Sequence, residues 1–133
     1  MRLGIGWEMK AKYRFFPETR VGGFSRVDGT VEFYSRVNAL IEEGHTVLDF
    51  GAGRGAAFHD DTSVYRRRLR NLRGKCYNVI GVDVDQAIAR NIGLDEYHVI
   101  DPSHQIPVDD NSVDIIVSDT VFEHVDDPRV ICG

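Results

Sequence analysis

At 133 residues, with 42% hydrophobic and 28% charged side chains, the chain has the composition of one globular domain, which excludes wholesale disorder. No apolar run approaches the roughly 18 residues of a membrane span, and the basic start over residues 1–12 lacks the uninterrupted apolar stretch of a secretory signal, so a cytoplasmic protein is expected. The net charge of −5 conceals a polarity, since residues 1–75 hold 14 Lys or Arg against 9 Asp or Glu while residues 76–133 hold 2 against 12.

Residues 1–27 mix aromatic and basic side chains without a sustained period and read as an irregular arm. Within it Phe24, Ser25 and Arg26 either fold over a ligand as a lid or merely cover a sheet. The rest of the chain, 28–133, reads as one domain. Asp28 is a plausible N-cap, and Val31, Tyr34, Val37, Leu40 and Ile41 recur at helical spacing up to Glu43, with Gly44 as the stop. His45 to Phe50 is a short apolar strand, after which a glycine loop opens a helical segment near Arg54.

Asp60, Asp61, Thr62 and Ser63 signal a second helix start; Tyr65, Leu69 and Leu72 then share a face, and Gly74 can end the helix. Around that face lie Arg66, Arg67, Arg68, Arg70, Arg73 and Lys75. The run reads first as a solvated face and second as a surface for phosphate-bearing groups; no motif for specific nucleic-acid reading accompanies it. Asn78 to Val82 is the next strand, Gln86 to Ile92 a short helix, and Tyr97 to Ile100 a third strand. Pro102 to Ser112 is a turn-rich loop, Val113 to Val117 a fourth strand, and Val121 to Val125 the start of a helix. Cys76 and Cys132 lack metal-ligand spacing and read as reduced small residues, and no metal site is expected.

Strands alternating with helices predict an α/β fold, a Rossmann-like parallel sheet with flanking helices. The loops after the strands then share one edge, where a ligand should bind. The most telling of these loops is Gly51, Ala52, Gly53, Arg54, Gly55, because residues without Cβ let a ligand lie against the main chain. Gly51, Gly53 and Ala56 also fit the G-x-G-x-x-A form of the dinucleotide fingerprint. Against that reading, Asp49 stands where a pyrophosphate would make an acid unwelcome. Asp83 also follows Gly53 by 30 residues, whereas a ribose-binding acid is expected after about 20. Asp101 and Asp119 extend the pattern, so that four successive strand ends carry a carboxylate.

Leu48 to Gly55 resembles the first motif of class I S-adenosylmethionine-dependent methyltransferases, and Val79 to Asp83 resembles their second-strand motif. Ile106 to Asp114, Ile116 to Asp119 and Phe122 to Val125 resemble the fourth-strand region of the small-molecule, type 11-like branch. The resemblance implies S-adenosyl-L-methionine as cofactor, with Asp49 facing the methionine portion, Gly51 and Gly53 letting it cross the backbone, Asp83 at the ribose, and Ala52 and Val84 also among the cofactor-binding residues. It further implies Asp101 and Pro102 near adenine, and Ser118 and Asp119 near the sulfonium. For a hydroxyl acceptor, His124 is the best placed base. The implied acceptor is a small molecule, with a sugar or a lipid-linked intermediate among the candidates.

A complete enzyme of that family resembles a seven-stranded sheet, and only about four strands are readable here, so the chain is expected to supply the donor-binding half. The outer edge of the fourth strand would then be open, which leads to an expectation of self-association. An NAD-binding oxidoreductase domain and a non-catalytic assembly module with the same fold are the rival readings.

Overall fold

A computed structural model describes residues 28–101, 103, 105–127 and 129, together with 14 and 15. Most of the arm, with its proposed lid, and Pro102 and Cys132 lie outside the described residues. In chain order the elements are α1 (Gly29–Leu40), β1 (Thr46–Phe50), α2 (Ala56–Asp60), α3 (Val64–Arg70), β2 (Asn78–Asp83), a 3-10 turn (Gln86–Arg90), β3 (Glu96–Val99), β4 (Ile115–Val117) and a second 3-10 turn (Phe122–His124). No helix among the described residues is long and apolar enough to cross a membrane. The chain divides into two compact units, Met1–Ala39 with Asp61–Asn71 and Leu40–Asp60 with Leu72–Gly133.

In the first unit Asp28 caps α1 as its position suggests, one carboxylate oxygen accepting the Val31 amide at 3.2 Å. Val31, Tyr34 and Val37 form the buried stripe. The helix ends at Leu40 rather than Glu43, and near its end the Asn38 side-chain amide donates to the Tyr34 carbonyl at 2.7 Å and the Leu69 carbonyl at 2.9 Å. The next backbone groups are taken by a turn in which the His45 amide donates to the Glu42 carbonyl at 3.0 Å. Gly44 therefore lies in that turn and not at the helix terminus.

Ser63 caps α3, its hydroxyl accepting the Arg66 amide at 3.3 Å. The expected stripe Tyr65, Leu69, Leu72 is broken because Asn71 is already extended, and Leu72 is buried in the second unit. The basic run is not simply a solvated face. Arg66 grips both oxygens of Asp61, at 2.8 and 2.7 Å, and reaches Asp28 at 2.9 Å. Arg70 lies 4.9 Å from the centre of the Tyr34 ring and donates to Thr30 at 3.1 Å.

The second unit holds a four-stranded, wholly parallel sheet in the order β3-β2-β1-β4, the Rossmann-like arrangement the alternation predicts. The register sets Leu48 beside Ile80 and Phe50 beside Val82. These four are buried, and Ile100, Ile106, Val108, Val113, Val121 and Val125 pack against them. Alternation sends Val47 and Val79 to the opposite face, where both are buried.

The strand ends differ from the sequence expectation by a few residues, with consequences for the site. β4 runs Ile115–Val117; just before it the Asp114 amide donates to the Thr46 carbonyl of β1 at 2.9 Å, while the Thr46 amide is accepted by the Asp114 carboxylate at 2.8 Å in place of a main-chain carbonyl. β3 runs Glu96–Val99. Asp101 thus lies two residues beyond β3, one further than the expected end at Ile100 gives, and Asp119 two residues beyond β4, whose last residue is Val117 as expected. The helices expected after β2 and β4 are the two short 3-10 turns, the first capped by the Asp85 carboxylate on the Ala87 amide at 2.8 Å.

Candidate functional site

The site grows from the turn after β1. Gly51, Gly53 and Gly55 all have positive φ, at 75°, 55° and 70°, which side chains rarely tolerate. The loop bends across to β2, with the Gly51 and Ala52 amides donating to the Val82 carbonyl at 2.8 and 3.2 Å. The Gly53 amide donates to Asp83 Oδ2 at 2.8 Å. The other oxygen of Asp83 accepts the Asp85 amide at 2.9 Å, so each carboxylate oxygen is fixed by one backbone donor. An ionised carboxylate offers about four lone-pair positions, which leaves each oxygen able to accept again.

Why are two of these glycines needed? A Cβ on Gly51 would overlap the Val121 side chain, so that glycine serves close packing within the protein. A Cβ on Gly53 would meet nothing nearer than Asp83 Oδ2, at 4.0 Å. The space over Gly53 is kept clear of protein, as a ligand lying against the backbone requires.

A cleft of about 830 Å³ opens beside this loop, within the range typical of small-molecule sites. Of the residues singled out by sequence, Gly51, Asp83, Val84, Asp101 and His124 line it together. Asp101 holds Ser103 through its amide and hydroxyl, at 2.9 and 2.7 Å, and Ser103 lines the same cleft. His124 is exposed, with Nε2 3.6 Å from Glu123 Oε1. Ala52, Gly53, Ser118 and Asp119 do not line the cleft. Asp49 also lies outside it, half-buried in β1 between Gly81 and Val117 of the neighbouring strands. Ser118 carries a buried hydroxyl oxygen without a hydrogen-bond partner. A buried hydroxyl left in that state is costly.

Several lining residues were not singled out by sequence. Thr120 and Val121 form part of the wall, and Asp126 and Asp127 join Asp83 and Asp101 in making it acidic. Thr120 has φ 59°, unusual for a β-branched residue, and its hydroxyl donates to the Asp119 carbonyl at 2.7 Å. Asp127 is held below the usual carboxylate range by hydrogen bonds from Arg129, whose side chain lies 3.0 Å away. Behind the loop, Phe50 stacks on Phe122 with ring centres 5.6 Å apart, which seats the turn that carries His124. Among the described residues no group of three or more His, Cys, Asp or Glu is placed to hold a metal ion.

Comparison with known proteins agrees with this geometry. Residues 24–131 match the family described as Methyltransferase domain. Among solved structures the chain is similar to the YcgJ protein from Bacillus subtilis, at 22% identity and a TM-score of 0.52, over 76% of this chain and 42% of that one. It is also similar to a chain of the complex formed by the Haloferax volcanii Trm112 methyltransferase activator, at 23% identity and a TM-score of 0.53, over 93% and 50%. The likeness to both is one of fold, and the chain spans half or less of their lengths. No curated protein matches it.

Proposed function

We propose, from the premise that the chain belongs to the methyltransferase-domain family, that its sheet unit binds S-adenosyl-L-methionine and presents the methyl group to a small-molecule acceptor. The observation that carries this reading is the Asp83 carboxylate in the lining of the cleft, held by the Gly53 and Asp85 amides with a free accepting position on each oxygen. Two vicinal hydroxyls of a ribose are the natural partners of such a pair. The residues fit the cofactor in two further respects: the clear space over Gly53 admits a chain lying along the backbone, and the acidic wall favours a cation.

When bound, S-adenosylmethionine supplies a methyl group on a positively charged sulfur, already activated for in-line displacement. The protein's task is then largely to orient and to exclude water. In this reading Asp49 serves the methionine ammonium, Val84 packs on the ribose, and Asp101 with Pro102 serves the adenine edge. Ser118 and Asp119 serve the region of the sulfonium. His124, on the turn seated by the Phe50–Phe122 stack, accepts the proton of an acceptor hydroxyl. The acceptor is read as a sugar or a lipid-linked intermediate, and the protein as cytoplasmic.

Thermal unfolding with added nucleotides tests the reading. S-adenosylmethionine and S-adenosylhomocysteine at about 100 times their dissociation constants should each stabilise the protein by about 2.7 kcal/mol. Stabilisation by NAD with no response to either methyl-donor compound would replace it with the oxidoreductase reading.

A further inference from the structure

Asn91 follows the 3-10 turn after β2 and was not among the residues the sequence pointed to. It is buried, and its side chain faces back toward the glycine loop. Nδ2 donates to the carbonyls of Ala52, at 3.0 Å, and Gly53, at 3.1 Å, while Oδ1 accepts the Gly93 amide at 2.9 Å. The amide thus uses both its donors and its acceptor on main chain. No other residue type of this size offers two donors and one acceptor on a planar end.

The consequence lies in one peptide plane. The Ala52 carbonyl and the Gly53 amide belong to the same trans peptide and point in opposite directions. Asn91 holds the carbonyl side and Asp83 holds the amide side. The plane is pinned between them, and the orientation of the Asp83 carboxylate depends in turn on a Gly53 amide that Asn91 keeps aimed at it. Gly55 belongs to the same lock: a Cβ there would come within 2.8 Å of Asn91 Oδ1.

We infer that Asn91 is a positioning residue for the cofactor site, setting the 52–53 peptide and through it the Asp83 carboxylate. The inference rests on the proposed function for what the site binds, but the clamp itself does not depend on it. Without the Nδ2 donors the plane is free to rotate, because glycine at 53 permits many backbone conformations. Asp83 would then lose one of its two fixed donors without any change to itself.

Asn91→Asp is the informative substitution. It keeps the shape and the acceptor for Gly93 but sets an oxygen against two carbonyls, so its carboxyl should be pushed up in pKa. A protonated carboxyl recovers one donor. Calorimetric titration with S-adenosylhomocysteine should show binding weakened about tenfold or more at about pH 8, partly restored toward about pH 5.5, with the wild type much flatter over that interval. Equal affinity in variant and wild type across the range overturns the inference. Failure of the wild type itself to bind S-adenosylhomocysteine would instead overturn the proposed function.

A second measurement serves if the variant does not fold or no ligand binds. In the wild-type protein, hydrogen exchange followed by NMR should show the Gly53 amide and the Asn91 side-chain amide protected relative to exposed asparagines. Exchange of the Asn91 amide at the rate of a free side chain overturns the clamp.

Discussion

Gly53 donates its backbone amide to the side chain of Asp83 across 30 residues of sequence, at 2.8 Å, and this bond ties the turn after β1 to the end of β2. It joins two motifs that the sequence shows only as separate signals. The neighbouring Gly51 has a different task, and the two glycines should respond differently to the same change.

Gly51→Ala meets both a positive φ and the Val121 side chain, so it should cost about 2–4 kcal/mol of stability. Gly53→Ala meets only the backbone penalty, about 1 kcal/mol, but its methyl group enters the clear space beside Asp83. Urea unfolding paired with S-adenosylhomocysteine titration separates the two. The first variant should lose more stability and the second more affinity relative to its loss of stability; the reverse order would show that the space over Gly53 is not ligand space.

Ion pairing around Arg66 should matter more than a surface arginine would. The guanidinium holds Asp61 at two points and Asp28 at one, and Asp28 is 5% exposed. Arg66→Met removes the partner and leaves both carboxylates, for an expected loss of about 3 kcal/mol in chemical unfolding. A loss within about 0.5 kcal/mol, the range of ordinary surface substitutions, would mean that the arginine is merely solvated.

The same group gives a pH dependence. Asp61 is held below the usual carboxylate range, chiefly by the hydrogen bond from Arg66. A carboxyl more acidic in the folded than in the unfolded chain contributes stability that is full above its unfolded pKa, about 3.9, and is lost as pH falls through the lower folded value. The destabilisation caused by Asp61→Asn should therefore be greatest near about pH 7 and shrink below about pH 4. A difference between variant and wild type that grows on acidification contradicts this sign.

These relationships show which parts of the molecule the sequence makes legible. The order of strands and helices follows from hydrophobic period, and the glycine loop with Asp83 follows from motif spacing, because both are local patterns. The start of β4 does not, since the Asp114 carboxylate takes the amide of Thr46, 68 residues earlier. Asn91 was missed for the same reason: its partners lie 38 and 39 residues earlier, and an Asn two residues before a Gly resembles an ordinary turn. Arg66 was hidden in a basic run whose members look alike until the chain folds.

Thr120 stores backbone strain at the cleft wall, with φ 59° at a β-branched residue. Thr120→Asn, a residue that tolerates this region, should raise stability by about 1 kcal/mol in thermal unfolding. A fall of similar size would show that the Thr120 hydroxyl, bonded to the Asp119 carbonyl, outweighs the strain.

In the proposed function Asp83, aimed by the Gly53 amide, holds a methyl donor in the cleft. Isothermal titration with S-adenosylhomocysteine, on wild type and on Asp83→Asn, tests it most directly. Asn keeps the size of the side chain but supplies one accepting oxygen in place of two. The expected result is saturable one-to-one binding by the wild type, weakened at least tenfold in Asp83→Asn with the fold intact by circular dichroism. A folded wild type without binding, or equal affinities for the two proteins, would contradict it.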